Sequence, residues 1–389
     1  MKKWIIPALA SVTFANAGDL AYLYKDTRIM AMGGANIAAG GYNSSVFSNP
    51  AGIANLPTDR GIIIELLGIS AAVSDGANGI INDLSSAINN DNEDELINVL
   101  TKYSGERTHI DVANYSSISN NHGNYAWSIG LLSASDINLT AHANSIDGIL
   151  EVQSRAYAGL TGAYAYTFEN MGNGDLQLGL GAKFLSQKSF EGKLSPEDLL
   201  SGGDLGDELR SKREEDNSGF AIDLGAIYQF DTEHDFKPAI GLSVMNIGSV
   251  DFNDAYGGQP VTVNIGASIE PTLPFIKRTR IALDYVDIFN ANEYRIYNLD
   301  GPDGEITYNN YADSDFLKRL RFGISGVIYE NNWSSMELAT GVYQGGLTAG
   351  VDFSASLFRF GLTTYEEQTG PKYGDKSGRR YSLIVSITW

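Results

Sequence analysis

The chain closes on a run of near-strict alternation, Arg380-Tyr-Ser-Leu-Ile-Val-Ser-Ile-Thr-Trp389. Tyr381, Leu383, Val385, Ile387 and Trp389 fall on one face; Arg380, Ser382, Ser386 and Thr388 fall on the other. Period two with one apolar face is the signal of a strand. An apolar face that ends on an aromatic suggests a strand crossing a bilayer, with Trp389 as an anchor at the headgroup level.

The pattern recurs in segments near 60–72, 107–119, 123–143, 149–169, 175–190, 215–231, 236–250, 259–272, 277–290, 316–330, 333–343, 346–354, 356–367 and 379–389. Leu176, Leu178, Leu180 and Phe184 oppose Gln177, Gly179, Gly181 and Lys183, and Val263 and Ile265 oppose Asn264 and Gly266. With the C-terminus on the periplasmic side, the connections on that side are short: 120–123, 170–174, 232–235, 273–276, 331–332 and 355. Those on the other side include 75–106, 191–214, 291–315 and 367–378. Bacterial outer-membrane barrels sort their loops this way. The expected fold is all-β: a fourteen-stranded antiparallel transmembrane β-barrel over residues 59–389, with short helices in its outer loops.

Helical stripes appear at Ile80, Leu84 and Ile88, at Leu96, Val99 and Leu100, and after Ser195-Pro196 through Leu199, Leu205 and Leu209. They are expected to pack on each other or fold over the pore mouth.

Composition narrows the rest. Lys2 and Lys3, the apolar run from Trp4 to Phe14 and Ala15-Asn16-Ala17 read as a signal peptide over 1–17. With 27 Lys and Arg against 47 Asp and Glu, the formal charge is -20, which disfavours nucleic acid as a partner. The absence of cysteine excludes disulfides, thiolate metal sites and Cys nucleophiles. His109, His122, His142 and His234 are scattered without metal-ligand spacing, and no nucleophile elbow is present. Pro302 breaks any calcium-loop pattern in the acidic run 300–305. No catalytic residue, metal or cofactor is expected.

Residues 18–58 do not alternate. They carry Met32-Gly33-Gly34-Ala35 and Ser48-Asn49-Pro50-Ala51-Gly52, and suit a compact plug inside the barrel. Together with Asp26-Thr27-Arg28-Ile29-Met30-Ala31, these motifs resemble the N-terminal hatch of FadL/TodX-type outer-membrane transport proteins. Within that superfamily the chain looks most similar to the TraF-like conjugal-transfer branch, which shares an acidic helical insert after the first strand, here 75–103. The resemblance implies a Gram-negative outer membrane and passive uptake of small hydrophobic compounds, long-chain fatty acids or hydrocarbon-like molecules, gated by the hatch. It implies sideways release where a strand is interrupted, and Ser133, Ser135 and Asp136 in the third strand are the matching candidates. A structural or assembly protein of the envelope is the alternative. Expected partners are outer-membrane lipid, a hydrophobic small molecule, and the barrel-assembly machinery through the aromatic C-terminal strand.

Arg155, Lys183, Asp223, Glu270, Arg280, Asp284, Arg321, Asp352, Arg359 and Arg380 sit opposite apolar residues in their strands. On the lipid face a cation at mid-bilayer costs about 2–4 kcal/mol, so these charges are expected to line the lumen and to pair there.

Overall fold

The computed structural model describes residues 20–143, 148–201, 215–231, 236–254, 256–300 and 305–389. The expected signal segment 1–17, His234, and Leu205 and Leu209 lie outside these residues.

A closed antiparallel barrel of fourteen strands dominates the described chain. Its strands are β1 (Ile62–Ser74), β2 (Arg107–Asn121), β3 (Tyr125–His142), β4 (Ile149–Phe168), β5 (Gly174–Leu194), β6 (Glu215–Phe230), β7 (Ala239–Gly248), β8 (Thr262–Ile269) and β9 (Lys277–Tyr285). They continue with β12 (Leu320–Glu330), β13 (Ser334–Tyr343), β14 (Gly346–Ala355), β15 (Phe358–Gln368) and β16 (Ser377–Thr388). Each of the fourteen alternating segments falls on one of these strands. β9 pairs with β12 across a hairpin that stands outside the barrel sheet, β10 (Glu293–Asp300) with β11 (Glu305–Ala312). That hairpin was not among the expected elements. The ring shuts between β16 and β1, where Trp389 and Ile64 exchange both backbone hydrogen bonds.

Alternation sets the direction of every face. Leu178 and Leu224 are exposed on the outside and Val263 is half-buried, whereas Gln177, Asp223 and Asn264 are buried on the inside. On β16, Tyr381, Leu383, Val385 and Trp389 point out, and Arg380, Ser382 and Ser386 point in. Such an apolar exterior around a closed sheet belongs in hydrocarbon, because every backbone group is met within the ring. On β5 the outward apolar run extends from Leu176 to Phe184 and then gives way to Ser186 and Lys188. At about 3.4 Å per residue and a tilt near 40°, that run spans roughly 20–25 Å, the height of a bilayer core seen by a barrel.

Above that height the outer face of β3–β5 is covered. α2 (Ala77–Asn89), α3 (Glu93–Lys102) and α4 (Pro196–Ser201) bury Ile80, Leu84, Leu96, Leu100 and Leu199 against Leu139, Leu150, Val152 and Leu194. Asn92 caps α3 by accepting from the Glu95 amide at 3.0 Å, and acidic residues fill its first turn. The helical stripes therefore pack on each other and on the outside of the wall. The mouth is covered instead by the β10–β11 hairpin, whose Tyr294 is buried on Leu20, and by the loop after β7, held by Tyr157 and Gln187 donating to the carbonyls of Gly257 and Tyr256.

Candidate functional site

Residues Leu20–Leu56 run through the bore from the outer mouth, where Leu20 meets Tyr294, to the periplasmic end, where Asn121 donates to the carbonyls of Ala54 and Leu56 at 2.7 Å. A short helix, α1 (Thr27–Ala31), starts at Asp26, whose carboxylate accepts from the Arg28 amide at 2.9 Å. Two 3₁₀ turns follow, Asn43–Phe47 and Pro50–Asn55. Asn49 caps the second: its Oδ1 accepts from the Ala51 amide at 3.0 Å, while its Nδ2 donates to Ile37 O at 2.7 Å and to the wall at Ala226 O, 3.3 Å.

The fit against the wall uses glycine on both sides. Gly33 has φ +66°, and a Cβ there would stand 2.2 Å from the Phe322 carbonyl oxygen. On the wall, a Cβ at Gly225 would fall 2.0 Å from Asn49 Oδ1. Met32 and Ala51 are almost fully buried, Pro50 packs at Gly179 and Gly225, and Gly34 lies beside Tyr343 and Arg321.

All ten charges singled out in the sequence are buried or half-buried, on inward positions. Lys183 pairs with Asp223 at 3.0 Å and Arg280 with Glu270 at 3.3 Å. Arg359 gathers three carboxylates: Glu65 at 2.8 Å, Asp352 at 2.8 Å and Asp26 of the N-terminal segment at 3.2 Å. Arg380 reaches Glu367 at 3.4 Å, and the same carboxylate takes Lys25 at 2.7 Å. Asp284 accepts from the amides of Asn36 and Ile37 at 2.6 and 2.8 Å. Arg321 lies with its guanidinium 4.2 Å from the Tyr343 ring centre. Consecutive residues Lys25 and Asp26 thus carry opposite charges to opposite partners on the wall. Removing one member of such a buried pair costs about 3–5 kcal/mol, because the other stays charged and unpaired.

The candidate strand break is corrected by the structure. β3 pairs without interruption through Ser133, Ala134, Ser135 and Asp136 with both β2 and β4. Ser133 and Ser135 point outward just above Leu131, at the height where the exterior turns polar, and Asp136 points inward to Arg155 at 2.6 Å. The sheet is irregular elsewhere: β1 shifts register against both neighbours between its Glu65–Leu66 end and Ile69, with Leu67 at φ +51°.

Three spaces follow one another along the bore. An outer vestibule of 420 Å³ is lined by Arg155, Tyr256, Glu293 and Arg295. It shares Ala21 and Asn292 with an inner cavity of 180 Å³ whose wall includes Tyr22, Ile37, Met245, Lys318 and Arg319. Beyond the N-terminal segment lies a periplasmic vestibule of 380 Å³ lined by Arg28, Arg60, Glu65, Arg280 and Asp352. Asp26 faces the inner cavity and Arg28 the periplasmic vestibule, and they pair with each other at 2.9 Å. This ion-paired layer is the floor of the inner cavity.

Solved structures share this architecture. The Ralstonia pickettii toluene transporter TbuX matches 94% of this chain and 98% of its own, with a TM-score of 0.54 and 12% identity. A TodX deltaS2S3 mutant monoaromatic hydrocarbon channel matches 96% and 99%, with a TM-score of 0.54 and 12% identity. What is shared is the fold. No protein-family model matches the chain, and no curated protein is similar to it in sequence. Nothing among the matches supports the narrower resemblance to the TraF-like branch.

Sequence reasoning missed the partners that hold the N-terminal segment: Lys25, Asp26, Glu65 and Glu367. It also missed Lys318 and Arg319, which α5 (Phe316–Arg319) delivers to the inner cavity. The signal for the last two was available, since Asp315 precedes them as a helix cap, accepting from the Leu317 amide at 2.9 Å. Burial pushes the Lys318 ammonium down to about 8 and raises the carboxyl of neighbouring Asp313.

Proposed function

We propose that this chain is an outer-membrane channel for passive uptake of small hydrophobic compounds, in which residues 18–58 act as a hatch that must move for cargo to pass. The observation that carries this reading is the inner cavity, placed between an outer vestibule and an ion-paired floor inside a lipid-facing barrel. An apolar cavity of about 150 Å³ takes a benzene molecule, so the 180 Å³ here suits a single ring or a short chain. The charged vestibule below disfavours leakage of an apolar molecule down the axis while the hatch is seated. The solved structures that share the fold are a toluene transporter and a monoaromatic hydrocarbon channel, which supports the same cargo class. In this reading residues 1–17 direct export, outer-membrane lipid surrounds the belt, and the barrel-assembly machinery receives the strand that ends in Trp389.

Locking the hatch tests the proposal. The chain has no cysteine, so an introduced pair acts alone. The Thr27 hydroxyl lies 2.7 Å from where a Cβ would stand at Gly361, which suits the pair Thr27→Cys and Gly361→Cys. Uptake of labelled toluene and palmitate is measured into vesicles with a lipopolysaccharide outer leaflet. The oxidised protein should fall to the protein-free background and recover with reductant. Equal uptake by a verified cross-linked form would remove the gating step; no uptake by the wild type would remove the channel.

A further inference from the structure

The β10–β11 hairpin is the upper part of a longer one. On β9 and β12, Asp284 stands opposite Arg321 and Tyr285 opposite Leu320; on β10 and β11, Glu293 stands opposite Ala312. From Tyr285 to Glu293 one leg advances eight residues, and from Ala312 to Leu320 the other does the same, so the register passes through the gap unchanged. Two backbone bonds cross that gap among the described residues: Val286 N donates to Arg319 O at 3.2 Å and Asp313 N to Asn292 O at 2.8 Å. Between them each leg turns on its own carboxylate. Asp287 accepts from the amides of Ala291 and Asn292 at 2.9 and 2.8 Å, with Asp287 and Asn290 at φ +52° and +61°. Asp315 accepts from the amides of Leu317 and Lys318 at 2.9 and 3.3 Å. Side chains that satisfy the backbone locally take the place of the ladder there.

The hairpin leaves the barrel at β9 and β12 and fastens on the opposite wall. Arg295 Nη1 lies 2.7 Å from Glu191 Oε2 near the upper end of β5, and Gln153 of β4 donates to the same carboxylate at 3.1 Å. Nearer the bend, Tyr294 is buried on Leu20 of the N-terminal segment, with the Lys318 ammonium 3.5 Å from its ring centre. Asn292, Glu293, Arg295 and Asn310 line the outer vestibule, and Asn292 and Asp313 line the inner cavity, so the hairpin borders both spaces. A fixed cover would carry its ladder through the bend, and a slack loop would not keep register across it. Two paired stretches joined through self-capped turns have the make-up of a hinge, where a few element-terminal residues absorb the change in φ and ψ.

We infer that the β10–β11 hairpin is a lid over the inner cavity, which turns on residues 286–292 and 313–319 and is latched to the opposite wall by Arg295 and Glu191. This rests on the uptake reading for its purpose: cargo enters the inner cavity from the outer side when the latch parts. The lid is distinct from the N-terminal hatch, whose ion pairs lie below the same cavity, and it meets the hatch where Tyr294 covers Leu20.

Two measurements on the full protein test the lid, both using the absence of native cysteine. In the first, Arg295→Cys and Glu191→Cys are joined by a short bismaleimide, and toluene uptake is compared in the same preparation before and after the reagent, with each single-cysteine protein as control. Uptake should fall to the protein-free background after bridging. In the second, spin labels at Asn310→Cys on the hairpin and Ser85→Cys on α2 should report a latched distance and a longer one. The share of the longer distance should grow about two- to fivefold when Glu191→Gln is added, the effect of losing a partly exposed ion pair. Labels at Leu283→Cys on β9 and Ser85→Cys should keep one distance throughout. Uptake that survives a verified bridge, a hairpin distance unaltered by Glu191→Gln, or a shift shared by the Leu283 pair each overturns the inference. The outcome is separable from the channel reading: uptake unchanged by the bridge defeats the lid alone, while a hinge seen by the labels in a protein without any uptake defeats the channel alone.

Discussion

The barrel has a tall side and a low side made from the same alternation. β3, β4, β5 and β6 have 18, 20, 21 and 16 residues, whereas β7, β8 and β9 have 10, 8 and 9. The β4–β5 ladder runs unbroken from Leu150–Leu194 to Phe168–Leu176, and helices brace its outer face above the membrane. The β8–β9 ladder extends only from Ile265–Tyr285 to Ile269–Ile281. A short seam has few backbone bonds, and hydrocarbon offers no water to replace them. On the low side the N-terminal segment supplies the difference. Asp284 holds the amides of Asn36 and Ile37, Ser243 donates to Ser48 O at 2.8 Å, and the Ile37 carbonyl lies where Gly241 leaves room for it. The plug packs on both walls, at Gly179 and Gly225 on the tall side as well, but only the low side has ladders too short to hold without it.

The largest test of that contrast is deletion of residues 18–58 behind an intact export signal. Hydrogen exchange should show β7–β9 losing protection while β3–β6 keep theirs, and vesicles carrying the protein should leak small uncharged solutes. Uniform loss of protection around the ring would break the contrast.

Two single substitutions sharpen it. Asp223→Ala leaves Lys183 buried with only the Asn246 amide oxygen, which should destabilise the barrel by about 3–5 kcal/mol. No described residue of the N-terminal segment bonds to either group, so permeability should stay at the wild-type level. Asp284→Ala strands two hatch amides at about 1–3 kcal/mol each. That loss, of the same order, falls on the hatch, and should loosen it and raise leak. Urea unfolding followed by gel mobility reports the first quantity and dye efflux the second. A leaky Asp223→Ala, or a tight Asp284→Ala, would mean the hatch is not what props the low wall.

The strands are legible in the sequence because a lipid-facing surface keeps one side of each strand apolar over its whole crossing. Inward charge is legible for the same reason: Arg359 and Glu367 share the polar parity of β15. Their partners are not. Asp26 lies 333 residues from Arg359 and Lys25 lies 342 from Glu367, and no local pattern links positions so far apart. Wall glycines such as Gly225 read only as weak strand positions until the hatch is seen against them. The β10–β11 hairpin was readable: Asp303-Gly304 between two alternating runs is a hairpin signal.

The smallest expected effect lies where the low side meets the mouth, at Lys318. This lysine is fully buried, donates to Gly370, and has its ammonium lowered by burial to about 8. Unfolded, a lysine titrates near about 10.4. Below about 8 both states hold the proton, and between about 8 and 10.4 the unfolded chain holds more, so stability rises with pH across that window and levels off above it. The urea midpoint should therefore increase from pH 7.5 to 9.5, and Lys318→Met should abolish the slope. Exchange corrected for intrinsic rates should place the gain in α5, β12 and the 369–376 loop, with β3–β6 unchanged. A slope shared equally by the tall wall would show that the two sides unfold as one unit, and the contrast drawn from their ladders would then have no energetic consequence.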